Sequence, residues 1–203
     1  ESYVAFNALA GTYRDAAYSG KVKTKSDVYL FRFQSEHSAL FPLWAVGQDY
    51  GRQCLLFSSD AKRVECVDLF GNVTQIGLQD GRFAVEAEIA PKTIRLFPAS
   101  ARLSCLGPMV SCARKLVVTD GSRSRYAFSV NGDCVGSERD VAVELKATHG
   151  IGIVDPSRKA RIAPGKAVEV VADITGEKDF SVESGKSCVT VSKRKLVDVL
   201  SIN

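Results

Sequence analysis

The sequence is short of the side chains on which most active sites and metal centres are built. It holds two histidines, His37 and His149, both far from any cysteine pair, and no Cys-x-x-Cys occurs. That is not the ligand spacing of a zinc site. No Gly-x-Ser-x-Gly or His-Glu-x-x-His is present, and Gly150 to Val154 lacks the third glycine and following helix of a phosphate-binding loop. The acidic segment Asp133 to Asp140 lacks calcium-loop spacing. Catalytic residues, a metal site and a cofactor are therefore not expected. No apolar run reaches the roughly 18 residues of a membrane span, so no membrane association is expected either. The only methionine is Met109, and the chain opens in mid-pattern, which suggests a fragment or a processed product.

Charge is equally unhelpful to a polyanion reading. There are 27 Lys+Arg against 23 Asp+Glu, a net charge of +4. The first hundred residues are neutral, with 11 of each sign, so the whole excess lies in the remainder. Its one cationic cluster, Ser192 to Leu196 (SKRKL), has no interleaved aromatics on which bases could stack, and nucleic acid is not an expected partner.

What is present is a globular composition, 45% hydrophobic and 25% charged, with apolar residues spread along all 203 positions. The length suits one large domain or two smaller ones. Six cysteines (Cys54, Cys66, Cys105, Cys112, Cys134, Cys188) permit up to three disulfides. A hairpin centred on Asp60 would set Cys54 opposite Cys66; two free thiols on one sheet face is the competing reading.

Periodicity predicts one helix and many strands. Tyr3, Phe6, Leu9, Ala10 and Tyr13 recur at helical spacing, predicting a helix over 2–16 with one apolar face. Residues 27–34 alternate, with Val28, Leu30 and Arg32 on one side and Tyr29, Phe31 and Phe33 on the other. Residues 39–47 are nearly all apolar, and Pro42 suggests a bulge or an edge. Strands follow at 52–58 and 62–70, paired across Ser59-Asp60-Ala61, then at 73–78, 82–89 and 92–97. Gly71-Asn72 and Asp80-Gly81 supply tight turns. Phe83, Val85, Ala87 and Ile89 should point inward. Residues 98–113 read as a linker or as the first edge strand of a second domain, and further strands are expected at 115–120, 125–132, 139–148, 166–175, 187–193 and 196–202. The expected fold is all-β: two antiparallel, immunoglobulin-like β-sandwiches, over residues 1–100 and 101–203, with one N-terminal α-helix.

Candidate site residues are few. Glu86 and Glu88 alternate with apolar neighbours and read as solvated strand carboxylates, and Asp68 and Asp80 lie in turns. His37 and His149 fall in polar turns. Asn72-Val73-Thr74 is formally a glycosylation sequon, but a turn role explains Asn72 without it. Trp44 lies inside an apolar run and is expected in the core. Tyr50, in the polar loop 47–53, is the candidate for contact with carbohydrate, where a flat ring meets the C–H face of a pyranose.

The first hundred residues resemble the segment that follows the catalytic (β/α)8 barrel in many bacterial glycoside hydrolases. Ala10, Ala17, Tyr18 and Gly20 match the end of the barrel's last helix. Tyr29, Phe31 and Phe33 match an aromatic strand, Leu43, Trp44 and Gly47 the next, and Val64, Cys66, Asp68, Leu69, Gly71 and Asn72 a hairpin unit. The later Thr93 to Phe97 keeps only the hydrophobic strand, without the family's aromatic. The resemblance implies a non-catalytic accessory region whose partners are an upstream barrel of the same polypeptide and polysaccharide. A stand-alone carbohydrate-binding module and a cell-surface interaction module are the alternatives. An extracytoplasmic location is expected from the even cysteine count and the polysaccharide connection.

Overall fold

In the computed structural model, which describes residues 2–24, 28–46, 53–112, 116–118, 123–144, 146–147, 151–176, 180–182 and 201–202, strands follow one another after a single α-helix. The chain divides into two units, Glu1–Gly107 and Pro108–Asn203. Both are built from β-strands, giving an all-β, sandwich-like fold.

Among its described residues, the first unit has helix α1 (Ser2–Tyr13) and nine strands: β1 (Ala17–Lys21), β2 (Val28–Gln34), β3 (Ala39–Ala45), β4 (Gln53–Ser59), β5 (Arg63–Val67), β6 (Val73–Ile76), β7 (Arg82–Ala87), β8 (Lys92–Phe97) and β9 (Leu103–Pro108). Six form a sheet in the order β1-β2-β3-β8-β5-β6, and three form a second in the order β7-β4-β9. One core joins the two sheets. Leu30, Phe41, Leu43, Val64, Ile94 and Leu96 of the larger sheet meet Leu55, Phe57, Phe83, Val85 and Ala87 of the smaller. Period-2 alternation decides which residues enter it: in β7, Phe83, Val85 and Ala87 are buried, as expected. Ile89, expected to follow them inward, is 64% exposed, because the strand ends at Ala87.

Three expectations about pairing are corrected. The strands around Asp60 do not form a hairpin. β4 pairs with β7, while β5 pairs with β8 and β6, so the Ser59-Asp60-Ala61 turn carries the chain from one sheet to the other. Burial explains the choice: both strands have an apolar face, and placing them in opposite sheets lets Leu55 and Phe57 pack towards Val64. Pro42 is not at an edge, since β3 lies between β2 and β8. Its missing N–H is accommodated where the β2–β3 register passes from Leu30↔Leu43 to Phe33↔Leu40 without pairing Phe31 or Arg32. Finally, the segment 98–113, expected as a linker or as the first edge strand of a second domain, is divided: β9 joins the first unit beside β4, while Val110–Cys112 is an edge strand of the second unit's main sheet.

Two expected turns are present. Asp80 (φ 51°) and Gly81 (φ 70°) both have positive φ, and Gln79 and Arg82 exchange both backbone hydrogen bonds at 2.8 and 2.9 Å. That is the two-residue turn favoured by Asp-Gly, although the strands it joins, β6 and β7, belong to opposite sheets. At the second turn, the Asp68 carboxylate accepts from the backbone N–H groups of Phe70 and Asn72, both at 2.9 Å, and from Asn72 Nδ2 at 2.8 Å. The hydrogen bond from the Asn72 side chain, aided by the backbone donors, holds the Asp68 carboxyl below its usual value.

Helix α1 ends at Tyr13, three residues short of the expected limit, and Ala17 opens β1. Twelve residues make a marginal helix in water, so packing must hold it. Apart from Tyr13, the face turned to the sheet is not the one with large apolar residues. Ala5, Ala8, Thr12 and Tyr13 are partly buried, whereas Tyr3 and Phe6 are 77% and 68% exposed.

The second unit is described by β10 (Val110–Cys112), β11 (Leu116–Val118), β12 (Arg123–Val130), β13 (Arg139–Glu144), β14 (Lys146–Ala147), β15 (Ile151–Ile153), β16 (Ser157–Ile162), β17 (Val168–Gly176), β18 (Phe180–Val182) and β19 (Ser201–Ile202). Its main sheet runs β10-β12-β17-β15, with β12 and β17 paired from Arg123↔Thr175 to Val130↔Val168. β13 and β16 form a separate antiparallel pair, as do β11 and β18, while the two-residue β14–β19 pair is parallel. Val141, Val143, Ile162, Phe128 and Val170 are buried. Among the described residues, no helix is long and apolar enough to cross a membrane.

Candidate functional site: an aromatic groove on the first sandwich

The outer face of the six-stranded sheet, opposite the core, is unusually apolar on one side. With Val28 and Leu30 turned into the core, Tyr29, Phe31 and Phe33 must project outward from β2. On β3 the core takes Phe41 and Leu43, and Pro42 and Trp44 project outward. β1 adds Tyr18, in register with Phe33. The last turn of α1 lies across this face. The Tyr13 hydroxyl is 2.6 Å from Thr93 Oγ1, and its ring meets Phe33 edge to face with centroids 5.1 Å apart.

These side chains enclose an open groove of about 420 Å³, lined by Tyr13, Tyr18, Phe31, Phe33, Pro42 and Trp44. Its rings contact one another. Tyr18 meets Phe33 edge to face at 5.5 Å, and Phe31 lies 5.4 Å from Trp44. The row continues through Tyr29, stacked on Phe31 at 5.9 Å and 5.4 Å from Trp44. The lining is almost wholly carbon, and the Tyr13 hydroxyl is engaged by Thr93. Burial pushes the Tyr13 pKa up to about 12, only partly opposed by the Thr93 hydrogen bond.

The charges around the groove are unevenly placed. On the other half of the same face, Glu65 takes Arg95 (2.5 Å) and Arg63 (3.5 Å), and both guanidinium groups lie over the Phe97 ring. At the aromatic end, Lys21 stands opposite Phe31 in the β1–β2 register, with Nζ 4.8 Å from the Tyr29 ring centroid. Among the described residues it has no carboxylate partner.

The candidates read from sequence fall differently. Tyr50, His149, Cys188 and the Ser192 to Leu196 cluster lie outside the described residues. Trp44, expected in the core, is half-buried on the outer face, because alternation gives the core position to Leu43. His37 is exposed in its turn beside Glu36. Glu88 pairs with Lys92, whose ammonium also donates to the Glu86 carbonyl. Cys54 and Cys66 are free thiols and lie in opposite sheets. Burial raises the Cys66 pKa above its ordinary value, with Lys92 acting the other way. Among the described residues, no group of three or more His, Cys, Asp and Glu side chains could hold a metal ion.

The groove itself was missed as a site. The signal was there in Tyr29, Phe31 and Phe33 at alternate positions. Both sides of that strand begin apolar, however, so alternation alone could not say which one faced the core. No protein-family model matches this sequence, and no curated protein is significantly similar to it.

Proposed function

We propose that this chain is a non-catalytic C-terminal accessory region of a bacterial, extracytoplasmic glycoside hydrolase, supporting and orienting a catalytic barrel of the same polypeptide. The observation that carries this reading is the two-sided helix. α1 already packs its small-residue face on its own sandwich, yet it presents Tyr3, Phe6 and Leu9 outward, 77%, 68% and 38% exposed. Large apolar residues on the free face of a packed helix favour a second body against that face. The motif order around Trp44 and Asp68 supports reading that body as a glycosidase barrel.

The test is a co-purification of the chain with the upstream barrel. Phe6→Asp combined with Leu9→Asp should abolish it, because each substitution would desolvate a charge at the interface. Unchanged co-purification would remove the docking role.

A second reading, a module that contacts polysaccharide directly, is favoured by the aromatic groove. Carbon-lined walls open to solvent suit the C–H face of a pyranose, whose hydroxyls then stay hydrated. Retention on immobilised polysaccharide that disappears in Trp44→Ala would establish it.

A further inference from the structure

We infer that the aromatic groove is built for an acidic sugar, a pyranose that carries a carboxylate, rather than for a neutral one. The inference rests on the second reading above and names the ligand class of that same groove. It follows from the way charge is distributed around the rings.

The groove offers faces and edges of aromatic rings and almost no hydrogen-bonding group. A ligand bound there must therefore be apolar on the side it presents to the walls, as the C–H face of a pyranose is. Burying a hydroxyl against such walls would leave it without a partner, at a cost in affinity. Selectivity has to come from the rim. The rim group placed to supply it is Lys21, exposed, opposite Phe31 in register, and held over Tyr29 one ring beyond the lining. The two arginines on the neighbouring half of the face share Glu65, which holds both and offsets one of their two charges. Among the described residues, the partner of Lys21 is the π face of Tyr29, a contact that positions the ammonium without neutralising it. Among the described residues, no carboxylate lines the groove to repel an anion. Rim charge and wall chemistry together fit a ligand with one apolar ring face and one negative group at its edge.

A neutral aromatic guest would use the walls equally well but would gain nothing from Lys21. A cationic guest would be repelled by it. A uronate-containing chain uses both.

The experiment compares two polymers of one backbone, polygalacturonate and its fully methyl-esterified form, alongside a neutral glucan. The whole chain is used, with retention measured by affinity electrophoresis. Trp44 is the only tryptophan, so its emission reports groove occupancy during titration with the corresponding oligosaccharides. The expected result is preferential binding of the acidic form. Lys21→Gln should weaken that binding about tenfold, the scale of one charge-assisted contact, and leave binding of the ester unchanged. Tyr18→Ala, at an exposed position, should weaken both, and serves as the wall variant if Trp44→Ala does not fold. Equal binding of acid and ester, with Lys21→Gln silent, would overturn the acidic preference and leave the sugar-contact reading standing. No binding of any polymer would overturn both. Acidic binding that is untouched by Tyr18→Ala or Trp44→Ala and leaves Trp44 emission unchanged would assign the attraction to the basic surface elsewhere, and would overturn the site.

Discussion

The Tyr13 hydroxyl lies 2.6 Å from Thr93 Oγ1, joining residues 80 apart in the chain, and this bond ties helix α1 to the sheet that carries the groove. Thr93 is only 5% exposed although its neighbours Ile94 and Leu96 point into the core from the other side of the sheet. The helix is what covers it. Tyr13→Phe would leave that hydroxyl buried without its partner, and should cost about 1–3 kcal/mol of unfolding free energy at neutral pH.

The same pair makes a pH prediction. Burial raises the Tyr13 pKa from 10.0 to about 12. The unfolded chain then ionises first, so this contribution to stability is complete below pH 10 and is lost as pH rises towards 12. Urea unfolding between neutral pH and that limit should fall more steeply for the parent than for Tyr13→Phe. Parallel curves would contradict the assignment.

The Asp68 turn also touches the helix. Gly71 has φ 87°, and a Cβ built there would lie 3.2 Å from the Ala8 Cβ. Gly71→Ala should destabilise by about 1–3 kcal/mol through the positive φ, with a further cost from the crowding. Ala8→Gly should recover only the crowding part. A double-mutant cycle measured by chemical denaturation separates the two.

Asp68 itself titrates below an ordinary carboxylate because Asn72 and the turn amides donate to it. Its contribution is present above the ordinary carboxylate pKa and is lost as pH falls through the lowered one. Asn72→Ala should move the Asp68 titration, followed by carboxyl NMR, back up towards its ordinary range. An unmoved midpoint would mean that the amides alone suffice.

Oxidation should not join Cys54 to Cys66, since their strands lie in opposite sheets. Cys66 should also alkylate slowly at neutral pH, because burial raises its pKa and the thiolate is the reactive form. Mass mapping after mild oxidation, and maleimide labelling of the native and urea-unfolded chain, check both points. A Cys54–Cys66 peptide would show that the strands can pair as the hairpin reading required.

The expected pattern and the observed fold part at identifiable places. The alternation of Phe83, Val85 and Ala87, and the turns at Gly71-Asn72 and Asp80-Gly81, were legible because each depends on neighbours a few residues away. The site was less so. Trp44 looked like core because every residue around it is apolar, and composition cannot resolve one side of a strand from the other. On the helix, Tyr3, Phe6 and Leu9 of the apolar stripe stay exposed, while Tyr13 of the same stripe turns to the sheet together with the small residues Ala5 and Ala8, whose size permits close approach.

Local chemistry in the sequence therefore determined that this protein is strand-rich, where its tight turns fall, and which residues alternate within a strand. Tertiary structure alone decided that β4 and β5 enter opposite sheets, that Tyr13 reaches Thr93, and that five aromatic residues from α1 and β1–β3 surround one groove. The physical reason is that strand pairing and face selection are settled by burial summed over segments far apart in the chain. No window of sequence contains both sides of that sum.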